Sequence, residues 1–426
     1  MELVTKIIHL SGNKSLRNGA LFSIFSFINR GIGFFLLLIL AKYIGPKEYG
    51  YLSLFTTVVM VIGYFICFTS EGYLSVSYFK ESHQEFRKTC TVIISLGLCM
   101  LCVFNLILAI GGNLIAKALN LPLSILFLAV IISFMTSMAN INLDYFRLQQ
   151  KVKLYGLFSC GNAILNFIVS IVLIKYCLLS WEGRVYAQCF CYTLFGVYSV
   201  IFFIRKKLLT RNFLDKVKPI LLWSIPLIPH MATAFIRQGC DRYIINYSHS
   251  IADVGLFSFA LNLANIIFMI GLGFNQSNSV EIYKTLGDNE RPAESKLRFI
   301  KKSTKLFLAL YSAAAVIVAL CCYILVPIIL PKYESANNFI LILSVYGFLQ
   351  CVYLVYCNYL FFYGKTKNLM YITFFSAVLH LTLSLIFTRY SLYYTCIIYC
   401  FTQLIVSLLV RKEAKKYIYI NLFNKK

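Results

Sequence analysis

Apolar stretches of about twenty residues recur along nearly the whole chain, the length at which a helix crosses a hydrocarbon core of roughly 30 Å. They fall at 20–42, 51–70, 89–110, 121–142, 154–175, 185–204, 219–238, 254–274, 304–327, 337–360, 368–388 and 391–410. Of the 426 residues 60% are hydrophobic and only 13% charged, where a soluble domain is about a quarter charged. An all-α integral membrane protein with twelve transmembrane helices is therefore predicted.

An even number of spans puts both termini on one side, and the distribution of bases says which. With a cytoplasmic N-terminus, the inner segments hold Lys6, Lys14, Arg17, Lys80, Arg87, Lys88, Arg147, Lys151, Lys153, the bases of 205–218 and 284–305, Lys365, Lys367 and the tail from 411. These are thirty of the forty basic residues. A multi-pass protein of a bacterial cytoplasmic membrane, both termini inside, is expected. The net charge of +24 sits between apolar runs, so it points to membrane lipids and topology and excludes nucleic acid as a partner. The first nineteen residues lack an apolar core followed by a small-residue cleavage site, and are expected to be an uncleaved cytoplasmic lead-in.

The inner connections are short. Segments 205–218 and 281–302 have room for an interfacial amphipathic helix and not for a folded domain. The outer loops cannot house the acid/base constellation of a polymerase or transferase, so no enzyme is expected. No GxxxxGK[ST] phosphate loop is present. Most of the fifteen cysteines lie within apolar runs, and the Cys99–Cys102 CxxC has no second pair or histidine at metal spacing. They read as small buried thiols; no cofactor or metal is expected.

Stretch 219–259 departs from uniform greasiness. Pro226 and Pro229 interrupt the seventh span, a polar turn with Asp241, Arg242 and Asp253 follows, and Gly255 opens the next helix. A proline there frees backbone carbonyls, which hydrocarbon tolerates only beside protein or a wet cavity. The turn also echoes an earlier one: Glu48, Gly50 and Ser53 recur as Asp253, Gly255 and Ser258 at a constant offset of 205. Lys151 and Lys153 after the fourth span are echoed by Lys365 and Lys367 after the tenth. Two six-helix lobes of the same orientation are expected, 1–204 and 219–410, joined by a cytoplasmic linker 205–218 and followed by a basic tail 411–426.

The segments NGALFSIFSFINRGIGFFLLLILAKYIGPKEYGYLSLF and SIPLIP with DRYIINYSHSIADVGLFSFALNLANI resemble the polysaccharide-export branch of the multidrug/oligosaccharidyl-lipid/polysaccharide (MOP) exporter superfamily, in particular the Wzx-type repeat-unit flippases. The likeness extends over essentially the whole chain. It implies a MATE-like, V-shaped pair of lobes. It also implies the cargo, an oligosaccharide repeat unit of O-antigen or capsule type on a polyprenyl pyrophosphate, and a periplasmic polymerase as a further partner. The family's cationic cavity has its match here in Arg30.

Arg30 lies about 15 Å into the first span, where an arginine costs about 3 kcal/mol unless water or an anion meets it. Either it grips pyrophosphate oxygens or it pairs with Glu71. Asn29 beside it, with Asn166, Asn262 and Asn265, offers amides to a sugar path or to helix packing, and Asn162, Asn275 and Gln276 belong to the same class. Glu71, Asp144 and His230 are the ion-coupling candidates, each with a bland alternative as cap, ion pair or packed imidazole; His380 ranks below them. Arg237, Asp241 and Arg242 are placed near the outer surface, where they pair and set a turn or form a gate. A flippase working by alternating access is expected. The alternative is a MATE-like cation-coupled drug or metabolite antiporter, whose cargo prefers deep carboxylates to a deep arginine.

Overall fold

The computed structural model describes residues 14–288 and 290–423, with the side chains of residues 14–17, 20, 230, 276 and 277 outside that description. The lead-in up to residue 13, the His230 imidazole and the Gln276 amide thus lie outside the described residues. Among the described residues eleven helices are long and apolar enough to cross a membrane, twelve if one pair bent by 40° is counted as a single span. In chain order they are α1 (Lys14–Tyr43), α2 (Pro46–Ile66) continued by α3 (Glu71–Lys80), α4 (His83–Leu119), α5 (Leu123–Leu148), α6 (Val152–Ile171) with a π-helical end (Val172–Tyr176), and α7 (Trp181–Arg205). The bent pair is α8 (Leu214–Ser224) and α9 (Leu227–Gln238). There follow α10 (Cys240–Ser248), α11 (Ile251–Gly287), α12 (Ala293–Ile329), α13 (Asn337–Phe362) after a 3₁₀ turn, α14 (Thr366–Phe387) and α15 (Leu392–Phe423). The fold is all-helical and matches the predicted class.

The chain divides into two compact units, 1–44 with 51–232, and 45–50 with 233–426. The division falls inside α9, beyond the linker at 205–218 where the sequence suggests it. The reason is electrostatic. Lys216 reaches Glu81 at 2.7 Å and Glu85 at 3.0 Å, Lys88 reaches Asp215 at 2.7 Å, and Arg87 donates to the Leu209 carbonyl at 2.8 Å. The linker is thereby fastened to α3 and α4. Burial alone would raise the Glu81 carboxyl, but hydrogen bonds from Lys216, Ser77 and Thr89 outweigh it and hold Glu81 below the ordinary glutamate range. Because the folded value is depressed, the fastening is complete above the ordinary carboxyl value of about 4.3 and is lost as pH falls through the lower folded value. Glu81→Gln is expected to speed tryptic cleavage after Lys206, Lys207 and Arg211 severalfold at pH 7, read by limited proteolysis followed by mass spectrometry; in acid, pepsin is expected to open the same linker of the parent chain faster as pH falls through the folded value of Glu81.

In unit 1, α5 is the central element, packed on α4 and α7, while α1 packs on α6. Its buried face runs Ile125, Ala129, Ile132, Ser133, Ser137, Ile141, a helical repeat. Between bilayer helices the hydrophobic effect supplies little, and hydroxyls help to join them. Ser133 donates to the Val59 carbonyl of α2 at 3.0 Å. The second span breaks where no glycine or proline announces it: Phe68 and Thr69 adopt φ 51 and φ 56, a region costly for a bulky side chain. The span then continues through α3 to Lys80, and not to residue 70 as expected. Glu71 therefore lies about 14 Å from its far end, well inside the span.

In unit 2, α13 is central, against α11, α12 and α15. Helices α11 and α12 each hold 37 residues, about 55 Å, and so outrun the bilayer. Within segment 281–302 these two helices continue to Gly287 and restart at Ala293, in place of the separate interfacial helix allowed by its length. Ile282, Leu286, Ile300, Ala414 and Ile418 carry the apolar core of unit 2 out along the extension, in one cluster with Tyr311, Val355 and Val406. Asp253 closes a capping box with Ser250, accepting from its backbone N–H at 3.1 Å, so the acid of the repeated turn is a helix-start device.

The repeated glycines meet. A Cβ on Gly50 would stand 2.1 Å from the Ile251 carbonyl oxygen, and one on Gly255 would stand 1.8 Å from that of Pro46. Residues 46 and 251 are themselves separated by the repeat offset, so the two helix starts cross as images of one another. Only glycine permits this approach. Gly255→Ala must push two backbones apart, and is expected to cost about 3 kcal/mol or more, at the upper end of overpacking penalties. Thermal unfolding in detergent checks it, with Gly273→Ala, open to space within 4 Å, as the neutral control.

Candidate functional site

Unit 1 contains a cavity of about 530 Å³ between α2, α5 and the start of α3. Glu71 and Asp144 line it, with Ser133, Thr136, Ser137, Asn140, Tyr64 and Tyr155. The break at Phe68 and Thr69 places Glu71 here, since it restarts the helix with this residue in its first turn. Asp144 also pairs with Arg147 one turn on, at 2.8 Å. The two ion-coupling candidates that the sequence separates by seventy residues thus share one polar cavity.

Helix α1 is tied to this wall through α6. Ser26 and the Tyr155 hydroxyl are 3.2 Å apart, and Asn29 donates to Ser159 at 3.0 Å. Asn29 is thus engaged between helices. Arg30, one residue on, is exposed and forms no ion pair among the described residues. The Arg30–Glu71 pair considered as its bland role is not formed. Asn166 is 5% exposed and its amide oxygen accepts from Arg184, a residue that sequence reasoning missed because it stands at the margin of an apolar run.

Of the three residues in unit 2 suggested as a surface gate, Asp241 is buried and Arg237 and Arg242 are half-buried. Asp241 is 0% exposed and accepts at 2.8 Å from Nε2 of His380, which is itself 1% exposed. His380 Nδ1 lies 3.1 Å from the Thr402 hydroxyl, and Tyr399 packs edge-on against the imidazole. The second oxygen of Asp241 and the hydroxyls of Tyr399 and Ser384 are buried without a hydrogen-bond partner. Arg237 donates to Gln403, and Arg242 to Ser258 at 3.3 Å. Asn262 donates to the Tyr49 hydroxyl at 2.9 Å, while Asn265 is half-buried. Asp241 and His380 stand 139 residues apart, so no local pattern could join them. No group of histidine, cysteine and carboxylate suited to a metal ion occurs among the described residues.

Comparison with known proteins connects this arrangement to a family. Residues 15–278 match the family described as polysaccharide biosynthesis protein, and residues 226–386 match the MatE family. Protein 1 of the Lsg locus of Haemophilus influenzae is 22% identical over 372 residues, covering 86% of this chain and 90% of its own. An uncharacterized membrane protein of the same organism is 20% identical, covering 82% and 84%. Among solved structures, an inward-facing multidrug resistance MATE transporter of the MOP superfamily superposes with TM-score 0.73 at 12% identity, covering 92% of this chain and 96% of the other. The lipid II flippase MurJ, inward closed, gives TM-score 0.73 at 14% identity, covering 95% and 90%. These two solved structures are a transporter and a flippase. The chain belongs to the polysaccharide biosynthesis protein family.

Proposed function

We propose that this protein is a flippase that carries polyprenyl-pyrophosphate-linked oligosaccharide repeat units from the cytoplasmic to the periplasmic leaflet by alternating access. The observation that carries the reading is Arg30: a guanidinium in the middle of a spanning helix, exposed and without a carboxylate partner among the described residues. A fixed cation of this kind is costly in a bilayer unless an anion or water answers it, and guanidinium is matched to phosphate oxygens. Family membership agrees with the cargo. The sugar unit rides on the carrier without any bond being made or broken. A polymerase that consumes the unit outside, or an ion gradient, supplies the direction. Glu71 with Asp144 in unit 1 and Asp241 with His380 in unit 2 are the titratable groups available to such a gradient.

One observation favours a second reading. The cavity of unit 1 is lined by two carboxylates, which suits a cationic cargo and a MATE-like antiporter. Deletion and complementation separate the two. Loss of surface polysaccharide with accumulation of lipid-linked units supports the flippase; unchanged polysaccharide with altered tolerance to cationic drugs supports the antiporter.

A further inference from the structure

Arg184 sits in the first turn of α7, about 30 Å along the helix from Arg205 and the basic, linker-bearing end of unit 1. It is held in place by several features. Its Nη1 donates to the Ser170 hydroxyl at 2.9 Å and to the Asn166 amide oxygen. Those two acceptors lie one turn apart on α6 and are 0% and 5% exposed. The π-helical segment 172–176 follows directly, the kind of local widening that occurs at functional positions. Next to Arg184, a Cβ on Gly183 would be 3.0 Å from Ile174 and Leu179, so the start of α7 is seated against that segment.

The bracing uses one edge of the guanidinium. Nη1 has two N–H groups, and both find oxygen; Nε and Nη2 form the fork that grips a phosphate or carboxylate in bidentate fashion. That edge has no protein acceptor and is not among the sealed, unpartnered atoms. No carboxylate lies within ion-pair distance of Arg184 among the described residues. Neutral oxygens orient the charge and leave it uncompensated.

We propose that Arg184, braced by Asn166 and Ser170, is a binding site for the diphosphate of a prenyl-linked cargo at the end of unit 1 remote from its basic face. It is a second cationic station, distinct from Arg30, and the proposal rests on the flippase reading. Asn166 then acts as the brace of the arginine and not as a direct sugar contact.

The test uses the full chain in lipid nanodiscs, with Trp181, three residues from Arg184, as fluorescence reporter in a Trp223→Phe background. Farnesyl diphosphate is the probe, with farnesol and inorganic pyrophosphate as comparison ligands. Arg184→Gln, which keeps hydrogen-bonding capacity toward the brace, is expected to raise the Kd for farnesyl diphosphate at least tenfold and leave farnesol unchanged. Arg184→Lys, which keeps charge and loses the fork, is expected to fall between. The assignment is overturned if Arg184→Gln binds the diphosphate as the parent does, or weakens farnesol by the same factor. Pyrophosphate binding as tightly as farnesyl diphosphate would make this a free-anion site and overturn the lipid-carrier assignment. A parent chain that binds no prenyl diphosphate at all defeats the flippase reading itself, whereas parent binding with an indifferent Arg184→Gln defeats only this site.

Discussion

Arg30→Ala is expected to lower the rate of lipid-linked oligosaccharide transfer in reconstituted vesicles by about 100-fold or more, because hydrogen bonds between charged partners are worth about 1.5–3 kcal/mol each and a bidentate grip loses two. Arg30→Lys keeps the charge and loses the fork, so a loss of about tenfold is expected. Stability should barely move in either variant, since Arg30 is exposed and has no ion pair among the described residues to break. A purely structural arginine would show the opposite pattern, with folding affected and transfer per folded molecule preserved. Thermal unfolding and initial transfer rates on the same preparations separate the two.

The second large effect belongs to the pair at the heart of unit 2. His380→Ala removes the donor that meets Asp241 at 2.8 Å, in a site where the other carboxylate oxygen is already without a partner. Breaking a buried pair from one side costs about 3–5 kcal/mol, because the remaining charge is stranded. The expected result is a fall of several degrees in thermal unfolding, or poor accumulation in the membrane. Asp241→Asn removes the charge with little change of shape and should cost much less. Combined with His380→Ala it should recover part of the loss, because the stranded charge is gone. A double-mutant cycle checks this: additive effects would mean that the two groups are not coupled.

The architecture was written plainly in the sequence where lipid imposes it. Span positions follow from apolar length, because that is a one-dimensional signal. What the sequence concealed is three-dimensional or atypical. Phe68 and Thr69 break the second span in a left-handed conformation that neither residue type favours, so Glu71 looked like a span end and proved to line a cavity. The end of α11 and the start of α12 run on as helix past the length a bilayer needs, held by Ile282, Leu286 and Ile300, where the length of the connection left room for a separate interfacial helix. Asp241 looked like a turn residue because arginines flank it in sequence, but its partner, His380, comes from α14. The glycines of the repeat were visible, yet only the structure shows why they are glycines: each lies against the other copy's backbone.

The central claim is that a lipid-linked anionic sugar crosses with this chain's help and meets Arg30 on the way. The most direct measurement follows a fluorescent prenyl-diphosphate oligosaccharide in vesicles containing the purified protein, with access from outside reported by a membrane-impermeant lectin or quencher. Transfer that requires the parent chain and collapses in Arg30→Ala of unchanged thermal stability is the predicted result. Transfer equal in protein-free and protein-containing vesicles, or undiminished by Arg30→Ala, would contradict it.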